Sequence, residues 1–538
     1  MKSHKTSPPA GWLCVALIGL VLGLLCEPPA QARMGGGHSY SGGGSSGSRG
    51  SGSSSHSSGG FHWGGGSSSG YSGHYYGGGG QSSASPSEDN RGSFALFVEI
   101  VILILVIYLL VRLLSHQPSS GAVASYQSGY SSNRERPGAA APPLDGQLQD
   151  LKARDENFSK VLFLDFASLL YHKYYTYRGS GQFRLLTPYL PKTLVSQVAG
   201  NVFYPKQRVH DIVIGKARIA NILARDSGDS LVVAFESNFT VGYQTGEQAR
   251  FANVEQWTFA RQKGVLSPKP EQMRTLSCPS CGAPADFTDA GECQYCHSTI
   301  QAGEKQWQVL KMSIVSSLPF KTEEPGGYAQ ETGTELPTLK QPGLDAYEQT
   351  FVNQHGLDRW DAFFNRFCEE VVKPYFLATY AAWSQGEWRQ ARHLVSDRLY
   401  ESNNFWMEEY ARQGWRNRLD NIEILSVIPA RIDLDKFYES VTVRIFASCL
   451  DYTVDKQDKL VGGSSKKPRK FSEYWTFIRG SGAAKAADGY DLKTCPACGA
   501  PADKIGQAGE CGYCGSKISE GRFSWVLAAI NQDEAYEG

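Results

Sequence analysis

The chain has 538 residues, enough for two or three domains, and its 53 basic residues are matched by 53 acidic ones. From Ser115 onward the balance is 47 basic to 49 acidic, so no cationic excess marks a nucleic-acid surface, and nucleic acid is excluded as an expected partner.

At the N-terminus, Lys2 and Lys5 precede an apolar run from Gly11 to Cys26, and Ala30-Gln31-Ala32 fits the small-residue cleavage rule. Residues 1–32 are therefore expected to be a signal peptide, with an uncleaved signal anchor as the alternative. Leu25, rather than a small residue, precedes Cys26 and argues against a lipoprotein. Residues 33–93 are Gly/Ser-rich with scattered aromatics, too poor in contiguous apolar sequence to build a core, and are expected to be a disordered extracytoplasmic segment. His38, His56, His62 and His74 lie within it, a weak signal for metal capture beside the simpler reading of a tether.

Phe94 to Val111 is an 18-residue apolar stretch interrupted by Glu99, long enough to cross a bilayer. We expect a transmembrane helix over 94–114. A signal followed by one span puts everything after Leu114 on the cytoplasmic side of a bacterial inner membrane, and an uncleaved anchor gives the same parity. Glu99 leaves several readings open: a protonated or lipid-tolerated carboxyl, a homo-oligomer contact through the span, or a partner helix. Residues 115–150, rich in Ser, Pro and Ala, read as a flexible linker.

From Leu151 the composition turns globular and then repeats. Gly181-Gln182-Phe183-Arg184 and Gly386-Glu387-Trp388-Arg389 stand 205 residues apart, and Trp257-Thr258-Phe259 answers Trp475-Thr476-Phe477. Ile300, Gly303 and Trp307 match Ile518, Gly521 and Trp525 in internal spacing. The expected layout is a first domain at 151–318, a linker at 319–343 and a second domain at 344–532. Each runs helices first and strands after. Helical spacing extends from Trp360 to Trp383 and on through Tyr410. Asn421 to Ile428, Ser440 to Ala447, Phe471 to Ile478 and Ser524 to Ala529 alternate as strands.

Between the last two strands of each copy lies a four-cysteine module: Cys278-x2-Cys281-x11-Cys293-x2-Cys296, and Cys495-x2-Cys498-x12-Cys511-x2-Cys514. Paired CxxC knuckles in a reducing compartment bring four thiolates to one tetrahedral ion, so we expect two structural Zn2+ ions, in ribbons spanning 276–300 and 493–518. Gly282 and Gly499 would supply the positive φ that the knuckle turn requires. Four cysteines leave no coordination position open, which argues against catalysis. His297 follows Cys296 but is replaced by Gly515 in the second copy, so it is not needed as a ligand. The rival reading, a thioredoxin-like redox pair, usually has a single CxxC. No Walker loop, HExxH or GxSxG appears, and no catalytic residue is assigned. Cys368 and Cys449 read as buried thiols. Lys466, Lys467, Arg469 and Lys470 form a basic hairpin loop, read as solvated or as a contact for lipid headgroups or an acidic partner.

The stretches Ala382-Trp383-Ser384-Gln385-Gly386-Glu387, Leu394 to Leu399, Glu473-Tyr474-Trp475-Thr476-Phe477-Ile478-Arg479 and Trp525-Val526-Leu527 resemble the Tim44-like domain. That family includes a mitochondrial inner-membrane translocase subunit and many bacterial membrane proteins. The second copy resembles it throughout, whereas the first diverges more. The resemblance implies an α+β cone related to the nuclear-transport-factor-two-like fold; with the repeat, the cysteine modules and the apolar stretch read above, the expected architecture is two tandem such cones, each with a zinc-ribbon insert in a β-hairpin, after one transmembrane helix. It also implies membrane association and a scaffold role in protein transport or assembly. The translocase subunit's chaperone-binding region has no counterpart here, and the ribbons are not part of the basic domain. Phe376, Tyr380, Trp383 and Trp475 are the candidate walls of an apolar pocket, with ordinary core as the alternative. The expected function is a non-enzymatic, membrane-anchored scaffold for a protein or lipid partner; the alternative is an enzyme or small-ligand receptor using the pocket.

Overall fold

The computed structural model describes residues 144–320 and 332–538, apart from 179, 181, 192, 195, 197–207, 226, 289, 302 and 484–491. The expected signal peptide, Gly/Ser segment, span with Glu99 and most of the first linker lie outside the described residues. Among the described residues no helix is long and apolar enough to cross a membrane.

The chain is α+β with two antiparallel sheets. In the first half, α1 (Leu144–Arg154) and α2 (Lys160–Arg178) precede β1 (Arg208–Arg225), β2 (Gly228–Gly242) and β3 (Gln248–Ala260). A one-turn α3 (Pro270–Met273) leads into the first ribbon, and β4 (Gln308–Pro319) closes a sheet of order β1-β2-β3-β4. The second half has α4 (Leu344–His355), α5 (Trp360–Phe367), α6 (Lys373–Gln385) and α7 (Asp397–Gln413). Then come β5 (Trp415–Leu434), β6 (Tyr438–Asp455), the short β7 (Leu460–Gly463), β8 (Arg469–Gly480) and β9 (Val526–Gln532). Its sheet runs β5-β6-β8-β9, with β7 on β6. Both ribbons interrupt an antiparallel hairpin, β3–β4 and β8–β9.

Local sequence sets these elements. Gly386 and Gly414 take φ of 75° and end α6 and α7 with left-handed caps. Ser396 starts α7, its Oγ accepting from the Leu399 amide. The continuous periodicity expected from Trp360 to Trp383 is broken by a π turn at Cys368–Val372. Lys373-Pro374 follows at once, and a proline lacking an N–H sits well after such a widened turn. Cys368 and Cys449 are buried as read, and burial pushes the Cys368 thiol up to about 12.

Matching contacts recur in the two halves. Val309 N donates to Tyr189 O and Leu527 N to Leu394 O, each at 2.8 Å. Arg261 lies over Trp307 at 4.2 Å, and Arg479 lies over Trp525 at 4.3 Å.

Two boundaries differ from the composition-based reading. The first half begins at Leu144, inside the expected linker, because Leu148 and Leu151 fall on one helical face and are buried. The later part of the 319–343 linker is docked. Arg444 donates to Leu336 O at 2.8 Å, Leu339 N donates to Tyr474 Oη at 2.8 Å, and Gln341 N donates to Ala430 O at 2.8 Å. Its Pro/Gly-rich composition reads as loop, yet the sheet satisfies its backbone.

The halves are joined by charge. Asp433 lies 3.3 Å from Lys160 and 2.8 Å from Arg431, which also pairs with Asp145. Burial alone would push Asp433 up, but Lys160 and Arg431 hold it well below the usual carboxylate range. Tyr438, from the second half, enters the apolar core of the first. At the C-terminus, Arg218 meets Glu537 at 3.0 Å while Tyr536 stacks on Tyr474 at 3.8 Å.

Candidate metal centres

Each ribbon has a core too small to fold alone: Cys278, Phe287, Cys293 and Ile300 in one, Cys495, Ile505, Cys511 and Ile518 in the other. Three isolated bridges shape each, Ser277↔Pro284, Phe287↔Cys293 and Glu292↔Thr299 against Thr494↔Pro501, Ile505↔Cys511 and Glu510↔Lys517.

The knuckles close by the turn the glycines predict. Gly282 (φ 76°) donates its N–H to Cys278 O, and Gly499 (φ 75°) donates to Cys495 O. The second knuckles repeat this with His297 (φ 56°) and Gly515 (φ 68°) donating to Cys293 O and Cys511 O. His297 is in a conformation that favours glycine. Its Nδ1 faces Glu292 at 3.0 Å and its side chain is 74% exposed, consistent with a turn residue and not a ligand.

All four sulfurs of each group lie within 4.8 Å of one another. The closest approaches are Cys278–Cys296 and Cys281–Cys293 at 3.9 Å, and Cys495–Cys514 and Cys498–Cys511 at 4.0 and 3.8 Å. A disulfide requires about 2.05 Å. Thiolates on a tetrahedron of roughly 2.3 Å metal–sulfur bonds sit about 3.8 Å apart. The spacing therefore fits two separate tetrahedral ions and is compatible with zinc. Hydrogen bonds from the Ser298 hydroxyl and amide pull the Cys296 thiol down to about 6, and Ser516 does the same for Cys514. Burial pushes Cys278 and Cys495 up to about 12.

The candidate pocket residues divide. Phe376, Tyr380 and Trp475 are fully buried and stacked together, with Phe376 and Tyr380 ring centroids 4.3 Å apart. They surround Glu473, whose Oε2 accepts from Tyr380 Oη and Trp475 Nε1, both at 2.9 Å. Trp383 is buried too, but it borders a cavity of about 390 Å³ at the end of α6.

Sequence reading missed the carboxyl at the centre of this cluster and its twin. In the first half, Glu255 accepts from Tyr171 and Tyr175 at 2.6 Å and from Trp257 at 3.0 Å, and burial raises its pKa. The signal was present as a repeated Glu-x-Trp-Thr-Phe. Also missed was the seating of the second ribbon. A Cβ on Gly509 would fall 2.4 Å from Arg392 Nη2, so only glycine admits that guanidinium.

No curated protein matches the chain. The family model for the Tim44-like domain matches residues 362–492, from α5 through β8, and stops short of Cys495. The chain thus carries a Tim44-like domain in its second half, with the second four-cysteine group beyond the matched segment.

Proposed function

We propose that this protein is a membrane-anchored, non-enzymatic scaffold whose two cone-shaped, zinc-bearing domains bind a protein or lipid partner at the cytoplasmic face, in protein transport or membrane-complex assembly. The observation that carries this reading is the doubled tip. Two four-cysteine groups cap two hairpins, and each displays a tyrosine between its last two cysteines, Tyr295 (59% exposed) and Tyr513 (76% exposed). An ion held by four thiolates has no position left for water or substrate, so Cys278, Cys281, Cys293 and Cys296, and separately Cys495, Cys498, Cys511 and Cys514, would hold zinc as structural clips. The tandem-cone reading is supported by helices packed on an antiparallel sheet in each half and by the bonds the halves share.

Photocrosslinking in native membranes from positions 295 and 513, followed by identification of the adducts, tests the scaffold reading. Recurrent capture of one partner from both tips supports it, and adducts no different from those at a control surface position refute it. Protease added to intact spheroplasts tests the topology. It should remove the N-terminal segment and spare residues 151–538; their digestion would place the ribbons outside.

A further inference from the structure

One hairpin differs sharply between the two halves. In the first, β2 and β3 are joined by five residues, 243–247, whose only charged member is Glu247. In the second, thirteen residues, 456–468, separate β6 from β8 and include the extra strand β7. Residues 455–470 hold six basic and two acidic side chains, in a chain whose totals are 53 and 53. The turn of the first half has no such cationic excess.

The loop is built, not merely long. β7 pairs with the end of β6, Thr453 with Gly462 and Tyr452 with Gly463, and β8 resumes at Arg469 opposite Cys449. Gly463 takes φ of 71°, and a Cβ there would fall 2.3 Å from Asp451 O, so the departure from the sheet requires glycine. Ser464 N donates to Asp451 O at 2.9 Å, and Ser464 Oγ accepts from the Lys466 and Lys467 amides at 3.3 and 2.9 Å. The nearby acids are engaged elsewhere. Asp451 accepts from Arg469 at 3.1 Å and from Asn417 at 2.9 Å, Asp458 pairs with Arg416 at 2.9 Å, and Asp455 Oδ1 accepts from the Gln457 and Lys459 amides. Lys456, Lys459, Lys466, Lys467 and Lys470 are exposed and form no ion pair among the described residues. Between them in sequence, Leu460 (47%) and Val461 (36%) are exposed as well.

Free ammonium groups around two exposed aliphatic side chains call for a partner that is anionic over an area and admits apolar groups between its charges. A bilayer surface with anionic lipid has both properties. Shaped acidic sites on proteins are matched by arginine forks and aromatic anchors, and protein interfaces are poor in lysine. The single arginine of residues 455–470 is bound to Asp451, and the segment has no aromatic residue. That lack also removes the stacking platform that single-stranded nucleic acid requires. We propose that the β6–β8 hairpin docks on an anionic lipid surface, with Lys466 and Lys467 among the phosphate headgroups and Leu460 and Val461 at the acyl boundary. The proposal rests on the membrane-anchored reading only in that an anchored chain has the bilayer within reach. Docking gives the second domain a fixed face toward the membrane, which the short turn of the first does not provide.

The full chain is reconstituted into vesicles of phosphatidylcholine alone or with about one third phosphatidylglycerol. p-Benzoylphenylalanine replaces Ser465 in the lysine loop or, as a control, Thr245 in the turn of the first half, and lipid adducts are counted by mass spectrometry. Position 465 should give about tenfold more lipid adduct with phosphatidylglycerol than without, and the excess should vanish in about 1 M salt, where the screening length is about 3 Å. Lys466→Gln with Lys467→Gln should lower the yield about tenfold, Lys466→Arg with Lys467→Arg should keep it, and Leu460→Ser should lower it about threefold. All three variants should keep the thermal midpoint, since the altered side chains are exposed. Yields indifferent to phosphatidylglycerol or salt, equal yields at 465 and 245, or adducts at 465 in native membranes with an acidic protein in place of lipid overturn the proposal. Alkaline carbonate extraction reads the anchor separately. A chain released by it ends the anchored reading, while adducts at 465, which need only contact with the vesicle, still decide the docking.

Discussion

The two ribbons share their ligands and differ in how they are held. In the first, Arg184 donates to Asp286 at 2.9 Å, and both side chains are substantially exposed. In the second, the guanidinium of Arg392 is buried. Its Nε donates to Gln507 O at 2.6 Å, its Nη1 donates to Val395 O at 3.0 Å, it pairs with Asp397, and it lies 4.7 Å over the Tyr400 ring. The repeat offset of 205 that pairs Arg184 with Arg389 puts Thr187 where the second copy has Arg392. Four thiolates on one ion leave no freedom at the ligands, whereas the stalk is free to diverge. In the second half, Gln507, which accepts from Arg392, also lines a cavity.

Metal removal should erase what the ribbons share. Apparent binding energies of structural zinc are about 10–16 kcal/mol, and cores of four residues offer little to replace them. Elemental analysis should give two zinc ions per chain, and Cys281→Ser or Cys498→Ser should each release one. Loss of both ions from either single variant would show that the groups are not independent.

A smaller effect sharpens the comparison of the domain bodies. The offset of 205 places Arg178 of the first copy opposite Trp383 of the second. Trp383 is buried, and its Nε1 donates to Asn417 Oδ1 at 2.9 Å. Trp383→Ala should cost about 3–5 kcal/mol, read as a lowered denaturation midpoint. A variant of wild-type stability would show that the indole is a cavity wall and not core.

The architecture was legible where chemistry repeats. The CxxC pairs and the Trp-Thr-Phe strands each rest on a short local pattern with one physical meaning. What escaped depends on partners distant in sequence. Arg392 and Gln507 are 115 positions apart, and nothing local marks either as special. Tyr171 and Glu255 are separated by 84. The segment around Leu336 and Gln341 looked like linker because its composition forms no element of its own, although the second sheet binds its backbone. Aromatic residues at helical spacing indicated burial without saying whether they enclose space, so Phe376 and Tyr380 were indistinguishable from Trp383 in advance.

The stalks can be compared directly. Arg392→Ala leaves Gln507 O and Val395 O without their donor and should cost about 1–3 kcal/mol. Arg184→Ala removes a largely exposed pair and should cost about 0–1 kcal/mol. Hydrogen exchange over residues 505–511 should accelerate in the first variant, while residues 286–293 should barely change in the second. Equal responses would mean that both stalks are held mainly by their hairpins.

The join between the halves should weaken with acid. The folded-state pKa of Asp433 is depressed, so its stabilisation is present above the ordinary carboxylate value of about 3.9 and is lost as pH falls from there toward the folded value. Asp433→Asn should flatten the part of the stability profile below about pH 4 that this group supplies. An acid limb identical in the variant would assign the loss to other groups, the thiolates among them.

The smallest effect on stability is expected at the tips, where the comparison returns to likeness. Tyr295 and Tyr513 hold the same place between the last two cysteines and are mostly exposed, although their flanking residues differ, Gln294 and Gly512. Burying so little, neither ring contributes much to its small core, and exposed substitutions of this kind shift stability by about 0.5 kcal/mol or less. A tyrosine also presents large contact area at low entropic cost, which suits a binding tip. Tyr295→Ser and Tyr513→Ser should therefore preserve both metal ions and the thermal midpoint while reducing partner crosslinking, with the double variant losing more than either single one under the proposal that both tips act on one partner. If the double variant crosslinks as the wild type does, the tyrosines are incidental to recognition. Loss from one variant alone would show that the copies diverged in binding as they did in their stalks.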